Sequence, residues 1–500
     1  MRPDRFGPLG YPMDGFGGED AMGRFGRWGA ALALVATLAG CGDGGDTATG
    51  SMATGGGANS PSGTAESACS LRNRKNWVSA QMNEWYLFPE TLPASLDPSP
   101  YATVSDYIDA LTATARAQRK DRYFTYITSI REEDAYYNSG ADAGFGFRLT
   151  TDATQSKLLI AEAFESGAAL AAGIDRGTEI RGIGTTASDI RSIQAIVSAD
   201  PNNGISDALG PDTAGTTRYF TVADPSGAVR TVALTKATYT LQPVSPNYGT
   251  QIITDNGQRY GYINLRTFIS TADPQLRAAF ATFKQQGITQ VVVDFRYNGG
   301  GAVSIADLFN NLLGGGRQTS EVLSYVTFRP SKSVENETTF FAPQPESIIP
   351  SRVAFIGTGG TASASEGVIN RALPYLGRNM ALIGANTYGK PVGQIARDNA
   401  QCDDRLRVIA FAIQNANRQG DYYNGLAGNV PNSCRAGDDL TRRMGDPQEA
   451  STRAALDFLQ GKSCTPISAS ATGQSAGAGP RKLVQPLRPS AAQRDVPGLF

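Results

Sequence analysis

Thr361-Ala362-Ser363-Ala364-Ser365-Glu366 lies upstream of Gly389-Lys390-Pro391-Val392-Gly393-Gln394 in a chain of 500 residues that contains no histidine. A serine hydroxyl needs a base before it attacks a carbonyl. Without imidazole that base is most readily a lysine, because a desolvated ammonium loses its proton far more easily than an exposed one. Lys390 is the candidate. A third segment, Asp294-Phe295-Arg296-Tyr297-Asn298-Gly299-Gly300-Gly301, supplies consecutive glycines whose amides can point into a site and stabilise an anionic intermediate. Ser365 falls at the expected start of a helix, where orphan amides and the positive end of the dipole favour negative charge. Each segment has an ordinary role in isolation: glycines turn the chain after a strand, serine caps helices, and lysine is solvated. Their joint occurrence in this order points to hydrolysis.

The elements that must position these residues are α/β in pattern. Residues 260–265 read as a strand, 273–286 as an amphipathic helix, and 288–295, with Val291-Val292-Val293, as a strand buried on both faces. Residues 352–356, 365–376 and 380–383 repeat strand, helix and strand, and 406–412 add one more strand. Such alternation predicts helices on a largely parallel sheet, in a core spanning residues 250–465. Residues 140–242 read instead as a small β domain. There Gly144-Phe145-Gly146-Phe147 combines a glycine turn with converging amides, suited to a terminal carboxylate, and phenylalanines that wall an apolar pocket. Residues 69–135 carry helical periodicity, with Trp77, Val78, Met82, Trp85 and Tyr86 on one face, and are expected to form a helical cap.

The amino end bears on the compartment. Arg24 and Arg27 precede an apolar stretch over residues 28–40, too short to span about 30 Å of hydrocarbon but suited to a signal-peptide core, with Met22 an alternative start to Met1. It ends in Leu38-Ala39-Gly40-Cys41, which resembles the lipobox of bacterial lipoproteins, so Cys41 is the expected lipidated residue and residues 1–40 the removed signal. Gly42 after it, in place of an inner-membrane aspartate, points to the outer membrane. Residues 41–68 then read as a flexible tether and 466–500 as a disordered tail, both too poor in apolar residues to offset the entropy of ordering. Export leaves Cys69, Cys402, Cys434 and Cys464 in an oxidising compartment. Three pairings are possible, of which Cys402 with Cys434 and Cys69 with Cys464 are the expected ones. Lysine plus arginine number 45 against 46 acidic residues, so no basic field exists to attract nucleic acid. Lacking histidine and C-x-x-C spacing, the chain is expected to hold no metal, and no cofactor is implied.

Over residues 70–465 the chain resembles the C-terminal processing, or tail-specific, serine peptidases. The pattern Asp-Leu-Arg-x-Asn-x-Gly-Gly is met by residues 294–301 with Phe295 for leucine, Ala-Ser-Ala-Ser-Glu by residues 362–366, and Thr-Phe-Gly-Lys-Gly-x-x-Gln by residues 387–394. The resemblance implies Ser365 as nucleophile, with Lys390 as base 390 − 365 = 25 residues on, and Gln394 to orient the lysine. It implies an oxyanion hole from the amides of Ser365 and Gly300 or Gly301. The implied fold is a crotonase-like repeated ββα core with an inserted PDZ domain. Substrates would be proteins or peptides with exposed C-termini, docked on residues 144–147, with or without an adaptor protein. Tyr388 stands for phenylalanine, Pro391 for the glycine after the lysine, and Thr178 for a common aspartate of the PDZ part. Two rivals share the fold: a non-catalytic ligand-binding or scaffolding lipoprotein, which would not need the dyad, and acyl-CoA chemistry, which export and the inserted β domain oppose.

Overall fold

Six strands run through the centre of the computed structural model, which describes residues 67–152, 154–468 and 481–500. Their order is Thr250–Asp255, Gln258–Asn264, Gln290–Asp294, Arg352–Gly357, Met380–Gly384 and Ser433–Arg435. The first two form an antiparallel hairpin and the other pairings are parallel. A parallel sheet must be covered on both faces, and the alternation of side chains shows how. Val291, Val293, Val353, Phe355 and Leu382 face one way, against the helices Ala272–Gln285, Val303–Leu313 and Ala364–Leu376. Val292, Ala354, Ile356, Ala381 and Ile383 face the other, against the helix Ala450–Leu459. Asp294, Gly357 and Gly384 end adjacent parallel strands at one edge, so the loops after them converge, as at the carboxyl ends of other α/β sheets.

Residues 406–412, expected on this sheet, belong to another. The strand Asp404–Gln414 pairs antiparallel with Tyr126–Ser129, Val322–Phe328 and Val392–Asn399. Its apolar run is explained by a second core, in which Leu406 and Val408 pack with Val78 and Met82 of the helix Leu71–Trp85 and with Tyr107 and Ile108 of Val104–Leu111. Ser70 caps the first of these helices by accepting from Asn73 N at 3.2 Å.

A further antiparallel sheet is built from Phe147–Thr151, Leu158–Ala163, Glu179–Gly184, Thr217–Ala223 and Val229–Thr235. On the free side of Phe147–Thr151 lies the short strand Lys482–Leu483. The last part of the expected disordered tail is therefore ordered: residues 481–500 also contain the helix Ala491–Asp495, and Val496, Leu499 and Phe500 are buried. A composition averaged over 466–500 concealed these three apolar anchors. The lipobox with Cys41, and nearly all of the tether, lie outside the described residues, as do residues 469–480 of the tail.

The disulfides also differ from expectation. Cys69 pairs with Cys402 and Cys434 with Cys464, each with a Cα–Cα distance of 5.4 Å. Cys402 sits in the turn before Asp404–Gln414, the strand on which the N-terminal helices pack, so Cys69 is its neighbour. Cys434 lies on the sheet-edge strand, along which the chain returns so that Arg435 N donates to Thr465 O at 2.8 Å.

Candidate active site

The loop after Asp294 is fixed by buried charge. The Asp294 carboxylate accepts from Tyr262 Oη at 2.7 Å and Arg296 Nε at 2.9 Å, and the Arg296 guanidinium reaches on to Glu449 at 2.9 Å and Asp438 at 3.2 Å. Burying an arginine is tolerable only with such partners. Asn298 then ties this loop to the serine segment. Its Nδ2 donates to Leu265 O at 2.8 Å, its Oδ1 accepts from Gly300 N at 2.9 Å, and its main-chain oxygen accepts from Ala362 N and from Ser365 Oγ, both at 3.0 Å.

The loop after Gly357 turns sharply into the helix Ala364–Leu376. Ser363 stands at that turn with φ +53° and ψ −115°, a backbone geometry costly for a non-glycine residue and held by its surroundings. Gly300 permits the close approach: a Cβ there would lie 2.8 Å from Ser363 Cβ, and its φ is +124°.

The loop after Gly384 hangs on Glu366. This buried carboxylate accepts from Ser363 N at 3.0 Å, Thr387 Oγ1 at 2.6 Å, Gly389 N at 2.7 Å and Lys390 N at 2.8 Å. Burial pushes its pKa up to about 6 against the pull of those donors. Lys390 Nζ donates to Gln394 Oε1 at 2.8 Å, and Gln394 Nε2 donates to Phe124 O, which fixes the amide with its oxygen toward the lysine. The Phe124 ring lies 5.2 Å from Nζ. Desolvation takes Lys390 down to about 8, opposed chiefly by the nearby Asp495. The side chain is part-exposed, toward a cleft of about 520 Å³ that Ser363, Lys390, Gln394, Gly299 and Gly301 also line.

Lys390 and Gln394 are thus brought together, and Ser365 is not brought to them. Ser365 is fully buried, with its hydroxyl given to Asn298 O. Ser363, two residues earlier, lines the cleft instead. The amides of Ser365 and Gly300 are bonded internally, to Ala362 O and Asn298 Oδ1, whereas Gly299 N lies in the cleft and donates to Asp495 O at 2.7 Å. Pro391 orphans nothing: the amides before it already bond Glu366, and Pro391 O accepts from Ile413 N at 3.1 Å. In the third sheet Gly146 has φ +80°, and Phe145 and Phe147 are buried, each against Phe220. Asn298 and Glu366 stand inside the two motifs, but their tethering roles depend on bonds between loops that the motifs do not show. Nothing in the sequence around Phe124 signals its role 270 residues away.

Serine, lysine and a main-chain amide around one cleft suit acyl transfer, in which the base must be neutral and the developing oxyanion must find a donor. Among the described residues no group of histidine, cysteine, aspartate or glutamate is arranged to hold a metal, and no helix is long and apolar enough to cross a membrane.

Residues 259–422 match the profile of Peptidase family S41, and residues 73–126 that of the Peptidase S41 N-terminal domain. Over 181 residues the chain is 31% identical to a carboxyl-terminal-processing protease of Picosynechococcus sp., a match covering 35% of this chain and 39% of that protein. The matched part is thus about two fifths of that relative's length. A solved S41 protease structure from Bacteroides fragilis, 23% identical, superposes with a TM-score of 0.60 over 77% of this chain and 97% of that one. The mixed α/β fold is therefore shared with that structure.

Proposed function

Since the chain belongs to peptidase family S41, we propose that it is a serine endopeptidase that cleaves protein substrates recognised by their C-terminal tails, with Ser363 as nucleophile and Lys390 as general base. The observation that carries this reading is the shared cleft of Ser363 and a desolvated Lys390. In the competent state Lys390 is neutral. Ser363 Oγ attacks the scissile carbonyl carbon, its proton passes to Lys390 Nζ, and the carbonyl oxygen becomes an oxyanion that the Gly299 amide is positioned to receive. The C–N bond then breaks as Lys390 returns the proton to the leaving amine. Water, deprotonated by the same lysine, releases the acyl group. Gln394 acts by holding Nζ in place, and Glu366 by holding both main chains.

The β sheet over residues 147–235 is read as a PDZ-like domain, with the amides of Gly146 and Phe147 as its carboxylate site. The central sheet with its helices is read as the crotonase-like core. Export through residues 1–40 and a lipid anchor at Cys41 rest on the sequence, and two disulfides in the described residues support an oxidising compartment. The test is incubation of the purified chain, and of its Ser363→Ala variant, with an unstructured polypeptide bearing an apolar C-terminus. Cleavage by the first and not the second is expected; equal cleavage by both, or none by either, rejects the reading.

A further inference from the structure

The carboxylate site and the cleft are occupied by one segment of the chain itself. Phe500 lies over Gly146: its main-chain oxygen accepts from Gly146 N at 3.0 Å and Phe147 N at 3.2 Å, and Phe500 N donates to Phe147 O at 3.0 Å. Leu149 N donates to Gly498 O at 2.8 Å and Arg148 pairs antiparallel with Leu499, so the last residues extend the sheet by one strand. This is how an extended peptide adds to an open sheet edge, main-chain bonds giving affinity and a side-chain pocket giving choice. The Phe500 side chain fills that pocket, 3% exposed within the core that contains Phe145, Phe147 and Phe220. The approach is close enough that a Cβ on Gly144 would lie 2.6 Å from the Phe500 carbonyl carbon.

Toward its start the same segment crosses the catalytic cleft. Arg494, Asp495 and Pro497 line it beside Ser363 and Lys390, and Asp495 O occupies the Gly299 amide. A Cβ on Gly299 would meet Arg494 O at 2.1 Å. Here, however, the segment is not extended. Residues 491–495 form a helix capped by Ser490, anchored by Tyr137 Oη to Asp495 at 2.6 Å and by Arg494 to Tyr123 O at 3.0 Å. Arg488 adds ion pairs to Asp106 and Asp109. Residues 491–495 are thus helical where a bound strand would be extended, and the segment fills the cleft while Asp495 O takes up the Gly299 amide.

We propose that residues 482–500 are an intramolecular competitor, which seats Phe500 on the Gly146–Phe147 amides and blocks the cleft, so that a substrate must displace it. The inference rests on the peptidase reading for its catalytic consequence, but not for the docking itself.

The experiment uses the full chain in three forms: unaltered, Phe500→Asp, and lengthened by two aspartates after Phe500, which keeps every existing side chain. A labelled peptide with the sequence of residues 490–500 and a free carboxylate should bind both altered forms at least about tenfold more tightly than the unaltered chain, since a groove open a tenth of the time loses tenfold in apparent affinity. The same peptide with a C-terminal amide should bind none of them well. With an apolar-tailed polypeptide as substrate, KM should fall about tenfold in both altered forms while kcat changes little. Equal peptide binding by all three forms, or binding indifferent to the carboxylate, overturns the proposal. Peptide binding as expected without cleavage by any form sinks the peptidase reading and leaves the docking intact.

Discussion

The main-chain amides of Ser363 and Lys390 donate to the same carboxylate oxygen, Oε2 of Glu366, at 3.0 and 2.8 Å. The other oxygen holds Thr387 Oγ1 and Gly389 N. One side chain, itself in the first turn of the helix that Ser363 begins, therefore fixes the main chains of Ser363 and Lys390 relative to each other. A carboxylate suits the task because it only accepts, and all four of its partners donate.

Glu366→Gln tests this directly. The amide keeps one accepting oxygen and turns an NH₂ toward donors, so the Lys390 loop should loosen with the shape of the site otherwise kept. The expected result is a kcat lower by at least about tenfold, because misplacement of about 1 Å can cost about a hundredfold, with KM nearly unchanged. A rise in KM with kcat unchanged would assign Glu366 to substrate binding.

Ser363→Ala should lower kcat/KM by at least about 10³-fold, as loss of a nucleophile does, with thermal stability close to that of the parent chain. Ser365→Ala should do the reverse. It removes a buried hydroxyl whose acceptor, Asn298 O, retains Ala362 N, so about 1 kcal/mol of stability is lost and most activity remains. Inactivity of Ser365→Ala in a folded protein would restore it as the nucleophile.

The parallel strands and their helices were legible in the sequence because each is signalled locally, by a buried apolar run or a helical stripe. Residues 352–356 and 380–383 were read to within one residue of the observed strands. The serine was harder. Ser363 and Ser365 flank one alanine at a helix start, and what separates them is a positive φ and the reach of Asn298, neither of which spacing reveals. The strand over 404–414 was placed in the wrong sheet for a related reason: an apolar run says that a strand is buried, not which neighbour buries it. The order in residues 481–500 depends on Val496, Leu499 and Phe500 meeting residues far away in sequence, which composition cannot show.

Cys69–Cys402 closes a loop with a sequence separation of 333, and Cys434–Cys464 one of 30. Loop-closure entropy favours the longer link by about 2 kcal/mol, and it also pins the N-terminal helices to the strand whose neighbour carries Gln394. Cys69→Ser should therefore lower Tm more than Cys464→Ser, measured by thermal melts without reductant, and should also lower kcat through Phe124. An equal effect of the two variants on Tm would contradict the entropic argument.

The pH profile follows from two groups. Lys390, lowered to about 8, must be neutral to accept the Ser363 proton, and that form grows as pH rises through 8. Glu366, raised to about 6, must be ionised to hold both loops, and that form grows as pH rises through 6. Both requirements act in the same direction. The logarithm of kcat/KM should rise with unit slope from about pH 6 to 8, more steeply below 6, and level off above about 9, with no descending limb near neutrality. Gln394→Glu sharpens the test, because a carboxylate 2.8 Å from Nζ stabilises the ammonium and should move the upper inflection toward alkaline pH by about one unit or more. A fixed inflection in Gln394→Glu would mean that a group other than Lys390 accepts the proton.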